Sequence, residues 1–149
     1  MMRHARNGCS GNRCLPTCSE MRDSRELKVA ARARALAIAV YHGTERFPSH
    51  ERYGLASQMR RAAVSIASNI AEGTGRGGER EFLHFLYLAL GSATELAIQI
   101  ELAIALGFVD AEEGAALSDD TNHVQRMLNR FTGSVRRKLA GRRHTDAAE

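Results

Sequence analysis

The sequence predicts an all-α fold, an antiparallel up-down-up-down four-helix bundle, on three observations. Apolar residues recur at three- and four-residue spacing along four long stretches. Short connections marked by glycine or proline separate those stretches. No alternating run rich in Val, Ile or Thr indicates a strand. At 149 residues, 44% hydrophobic and 26% charged, the composition is globular and the chain is long enough to bury one core.

The first helix is expected to open at Asp23, an N-cap with Glu26 three residues on, as in a capping box. Val29, Ala33, Leu36 and Val40 then mark its core face, with Ala37 and Tyr41 beside it. Gly43 ends it, because the residue before Pro48 is held extended. The second helix begins between Ser49 and Leu55 and ends at Gly73, read as its C′ residue before the glycine-rich loop Thr74–Gly78. Leu55, Met59, Ala62, Ile66 and Ile70 form its core stripe. Arg61, Ser65, Ser68 and Glu72 form a polar stripe, Val64, Ala67 and Ala71 a small-residue stripe, and Asn69 sits at the edge of the apolar face. Small residues on a second face let another backbone come close, so this helix is expected to be covered on more than one side.

The third helix, about Glu79 to Leu106, is the most apolar. Phe82, Phe85, Leu86, Ala89, Ala93, Leu96, Ile100, Ala103 and Ile104 make its core face. The opposite face carries Tyr87, Leu88, Gly91, Ile98, Leu102 and Leu106, where a monomeric bundle would be polar, so a subunit contact is expected there. Gly107 ends the helix, and Asp110 with Glu113 offers a second capping box. The fourth helix is clearest from Leu117 to Leu139, with Val124, Met127, Leu128, Phe131, Val135 and Leu139 inward. Arg126, Arg130 and Arg137 share a narrow arc opposite them, and Arg136 lies to one side of it.

The expected organisation is a disordered N-terminal extension over residues 1–20, the bundle over 21–140, and a flexible basic tail over 141–149, with Met21 read as the natural start. The net charge of +4 is local in origin. Residues 1–20 supply three arginines and one glutamate, and the remaining 129 residues nearly balance, with 18 basic and 16 acidic groups. From Arg126 to Arg143 there are seven basic residues and no acidic one, a composition that suits a phosphate-binding surface. No run of 18 or more apolar residues points to a membrane span, and the first twenty residues lack the apolar segment of a secretory signal. A cytoplasmic protein with no membrane partner is expected.

Cys9, Cys14 and Cys18 are spaced C-x4-C-x3-C with His4 upstream. Structural zinc sites use two such pairs held by tight turns, and a second pair is missing, so no metal is expected. Glu81-x-x-His84 and Asp120-x-x-His123 superficially match the ligands of di-iron bundles, but His84 projects nearly opposite the core face, and a metal there must sit inside. Arg80 with His84 forms no enclosed acid–base pair, and the Ser and Cys residues lack a paired His and carboxylate. Catalytic residues, cofactors and enzymatic activity are therefore not expected.

The segments FPSHERYGL (Phe47–Leu55), QMRRAAVSIASNIAEG (Gln58–Gly73), EFLHFLYLALGSATEL (Glu81–Leu96) and LGFV (Leu106–Val109) together resemble the bacterial four-helix-bundle family of 23S rRNA intervening-sequence proteins. The resemblance covers about Leu27 to Leu139, with Ala30 where the family usually has tryptophan and Ala67 where it usually has proline. It implies a homopentameric barrel of bundles, no assigned catalysis and nucleic-acid binding. A similar protein accompanies reverse transcriptases of diversity-generating retroelements, which makes such an enzyme, or another protein, a candidate partner.

Arg60, Arg61, Ser65, Asn69, Glu72, Ser92 and Glu95 are polar positions that match the family, read here as a network fixing helix register and subunit docking. The expected nucleic-acid contacts are Arg126, Arg130, Arg136 and Arg137, with Arg76 and Arg80 at a helix N-terminus as further phosphate candidates. With 5% aromatic residues and no Trp, phosphate contact rather than base stacking is expected for RNA or DNA. The alternative is a protein–protein scaffold that touches no nucleic acid.

Overall fold

The structure, a computed structural model, describes the backbone of residues 18–145 and the side chains of residues 28–141. Four helices follow one another: α1 (Cys18–Gly43), α2 (Leu55–Gly75), α3 (Glu79–Ala105) and α4 (Ala111–Thr145), with a 3-10 turn at Ser49–Glu51 between the first two. Each helix packs on the next and α1 closes the ring against α4, so the short loops give an all-α four-helix bundle.

The core is assembled from the stripes read in the sequence. Val29, Ala33, Leu36 and Val40 of α1, Met59, Ala62, Ile66 and Ile70 of α2, Phe82, Leu86, Ala93 and Leu96 of α3, and Val124, Leu128, Phe131 and Val135 of α4 are all buried. Phe82 and Phe131 meet edge to face, with ring centroids 5.2 Å apart. At the end of the bundle where the α1–α2 and α3–α4 connections lie together, Phe47 meets Phe108 at 5.5 Å. Thr44, Thr121 and Thr132 are buried beside these residues, and each hydroxyl donates to a carbonyl of its preceding turn, so none is left unsatisfied.

The helix boundaries depart from the sequence reading at the start of α1 and at the ends of α2 and α4. α1 begins at Cys18, so Asp23 lies inside the helix and is not its N-cap. The preceding Ser-Glu-Met-Arg stretch contains good helix formers and nothing that stops a helix. Residues 18–20 are accordingly helical; the rest of the expected extension, with His4, Cys9 and Cys14, lies outside the described residues. α4 likewise runs on to Thr145, through Gly141, because one glycine costs only about 1 kcal/mol in a helix. α2 starts at Leu55, within the range read from the sequence, and the Leu55 N–H donates to the Glu51 side chain at 2.9 Å, a cap supplied from the 3-10 turn.

Gly73 does not terminate α2, which continues to Gly75. It is a close-approach residue: a Cβ there would lie 2.9 Å from Phe85 Cβ and 3.0 Å from the Phe82 ring. Gly107 has φ +70, and the Phe108 and Gly107 amides donate to Ala103 and Ile104, a Schellman end. The Asp110 cap forms as read, its carboxylate accepting from the Glu113 N–H at 2.8 Å.

α3 has two apolar faces. One is in the core. On the other, Tyr87, Leu88, Ile98, Leu102 and Leu106 are each between 42% and 59% exposed in the single chain. Although it holds no apolar run of 18 residues, α3 is by length and composition apolar enough to cross a membrane, and this double-sided character is the reason.

Candidate nucleic-acid interface

Because Val124, Leu128, Phe131 and Val135 turn one side of α4 inward, Arg126, Arg130, Arg136 and Arg137 are left exposed. None of the four is held by an ion pair or hydrogen bond among the described residues. Arg130 and Arg137 line a groove of about 370 Å³ between α4 and α1, floored by Val29, Met127 and Phe131. Lys28 of α1 closes its other side, and among the described residues no carboxylate lines it. Arg136 and Arg137 also line a groove of about 510 Å³ against Leu83 and Tyr87 of α3. Arg126 lines neither groove and extends the same basic arc along the helix. Lys28 was not anticipated, since its place beside α4 depends on how two helices far apart in sequence are packed.

Arg76 and Arg80 are placed differently. The Arg76 Nε donates to Glu72 at 3.0 Å, its Nη2 bonds the same carboxylate, and its guanidinium lies 5.6 Å over the Phe85 ring. The hydrogen bond to Glu72, and then the Glu72 charge, push the Arg76 pKa up from its ordinary value. Its charge is thus already matched. Arg80 is exposed in the first turn of α3 between Glu79 and Glu81, whose charges oppose an anion at that helix end.

His84 is exposed beside Phe85, their rings 5.7 Å apart, while Phe82 points into the core. Among the described residues no three His, Cys, Asp or Glu side chains gather as metal ligands would.

A model of the 23S rRNA-intervening sequence protein family matches residues 25–130. The chain belongs to that family. The match includes Lys28, Arg126 and Arg130 and ends before Arg136 and Arg137. Among solved structures, a protein of unknown function from the S23 ribosomal protein family of Bacteroides thetaiotaomicron superposes with a TM-score of 0.69 at 19% identity. The superposition covers 73% of this chain and 98% of that one, a likeness of fold. No curated protein sequence matches the chain.

The polar positions by which the chain resembles other intervening-sequence proteins fall into separate groups, not one network. Ser65 and Ser92 share a hydrogen bond of 2.9 Å between α2 and α3, and Asn69 donates to the Ser65 hydroxyl and carbonyl. Arg60 is held at the end of α1 and just beyond it: its Nε donates to Thr44 Oγ1 at 2.7 Å and its guanidinium lies 5.0 Å over the Tyr41 ring. Glu72 serves Arg76, as above, and Glu95 accepts from the Gln99 amide at 3.0 Å. Arg61 is exposed, with no partner among the described residues.

Arg60 and Arg61 line a further groove of about 560 Å³ on α1 and α2, together with Tyr41, Arg52, Tyr53 and Val64. Tyr53 is 88% exposed there. Arg52 and Tyr53 lie within a family-like segment, yet their place beside Tyr41 follows from the turn at Ser49–Glu51, which spacing alone does not reveal.

Proposed function

We propose that this chain is a non-enzymatic, cytoplasmic homo-oligomer that binds RNA, or another nucleic acid, through the basic face of α4. The observation that supports the reading is the α1–α4 groove, where Arg130, Arg137 and Lys28 stand together with no carboxylate among the described residues that line it. Exposed guanidinium and ammonium groups along such a groove suit phosphates, whose contacts fix position without reading sequence. The exposed apolar stripe of α3 supports self-association, and its side chains lie away from the α1–α4 groove. Five subunits are favoured by the family resemblance.

The test is twofold: light scattering at micromolar concentration, and anisotropy of a labelled single-stranded RNA at low and raised salt. The reading expects a single oligomeric species and binding that weakens steeply with salt. A monodisperse monomer would remove the oligomer. Absence of RNA and DNA binding at low salt would favour the alternative, a scaffold or accessory subunit to another protein, such as a reverse transcriptase.

A further inference from the structure

Two exposed, partly apolar surfaces of this chain carry opposite charge. The groove on α1 and α2 presents Tyr41, Tyr53 and Val64 with Arg52, Arg60 and Arg61, and among the described residues no carboxylate lines it. On α3, Leu88, Ile98, Leu102 and Leu106 form an exposed stripe, and the charged residue set among them at helical spacing is Glu95.

We propose that the partner of the α3 stripe is the Tyr41–Tyr53 groove of a second copy of this chain, with Glu95 seated against Arg60 and Arg61. The inference rests on the homo-oligomer reading and specifies its interface. Arg60 is pre-oriented for such a contact: Thr44 and the Tyr41 ring hold it, and its terminal nitrogens have no acceptor among the described residues. Covering these arginines without a carboxylate would leave buried charge unpaired, and Glu95 supplies one. Tyrosine and arginine lining the groove, against an aliphatic stripe, match the composition of protein interfaces.

Self-pairing of either surface is disfavoured. Groove against groove sets arginines against arginines, and stripe against stripe sets Glu95 against Glu95. Joining two different surfaces is a heterologous contact, which needs no two-fold axis and, where its rotation closes, gives a ring that accommodates an odd number of subunits.

The test uses two variants of the full chain, altered only at exposed positions: Arg61→Glu with Val64→Asp in the groove, and Ile98→Asp with Leu102→Asp on the stripe. Far-UV circular dichroism confirms folding, and sedimentation velocity reads the mass. The wild type is expected as a ring, each variant alone as a monomer, and their equimolar mixture as a one-to-one dimer, since one intact groove then meets one intact stripe. A variant that dimerises by itself, or a mixture that stays monomeric, overturns the pairing while leaving the oligomer reading intact. A monomeric wild type overturns both. As an independent check, Glu95→Arg should dissociate the ring and adding Arg61→Glu to the same chain should restore it; no recovery overturns the proposed ion pair.

Discussion

Ser65 of α2 and Ser92 of α3 meet through their hydroxyls at 2.9 Å, and Asn69 donates to the same Ser65 oxygen at 3.1 Å. Ser65 is therefore the shared member of a small cluster in which Ser92 also bonds the Leu88 carbonyl. A lost hydrogen bond costs more when it strands its partner than when the partner keeps another. Ser65→Ala, which strips a contact from both Ser92 and Asn69, should destabilise by about 1–2 kcal/mol. Ser92→Ala should cost about half that, because Ser65 keeps Asn69. Urea midpoints of the two variants check the order, and equal or reversed costs would show that the cluster is not centred on Ser65.

Thr44, just past the end of α1, accepts the Arg60 Nε hydrogen bond, and it is 2% exposed. Thr44→Val keeps its shape but removes both the Arg60 Nε acceptor and the donation to the Val40 carbonyl. A loss of about 1–2 kcal/mol is expected, measured by chemical denaturation. Arg60→Lys should lose the Nε bond and the flat stacking on Tyr41 while keeping the charge, so it should not behave as a neutral exchange.

Gly73 is required by contact, not by backbone conformation. Gly73→Val should cost about 2 kcal/mol, because the new side chain enters space held by Phe82 and Phe85. Gly141 has nothing within 4 Å of its would-be Cβ, so Gly141→Ala should be neutral or stabilising by up to about 1 kcal/mol. Thermal midpoints moving in the same direction for both would contradict this division.

The bundle was legible because its stripes are long. Val29–Val40, Leu55–Ile70, Phe82–Ala103 and Val124–Val135 each repeat their apolar spacing over several turns, and the core follows them. Helix ends were less legible, since they depend on single contacts: Glu51 capping Leu55 from a neighbouring turn, or Phe85 lying over Gly73. Glycine at the end of a polar stretch reads as a terminator, and only the position of α3 shows that it is a gap for two phenylalanines. Gln99 likewise falls outside the apolar pattern, yet it is 8% exposed, with its carbonyl oxygen buried and unpaired in the single chain.

Of the candidate site, the α4 arc was legible as periodicity within one helix. The contributions of Lys28 to that surface and of Arg52 and Tyr53 to the α1–α2 groove were not, because they depend on which elements become neighbours. Arg76 was misleading for a similar reason: the glycine-rich loop suggested an anion site, while Glu72 lies one turn before it and takes its charge.

The salt dependence of RNA binding in the Arg126→Gln, Arg130→Gln, Arg137→Gln variant tests the central claim most directly. Each phosphate contact releases condensed counterions, with a log–log slope of about −0.7 per contact on single strands. These arginines are exposed and unpaired among the described residues, so the fold should be unaffected. The account predicts weaker binding to two unrelated RNA sequences alike, with the slope flattened by roughly two units. Unchanged affinity and slope in a folded triple variant would contradict it.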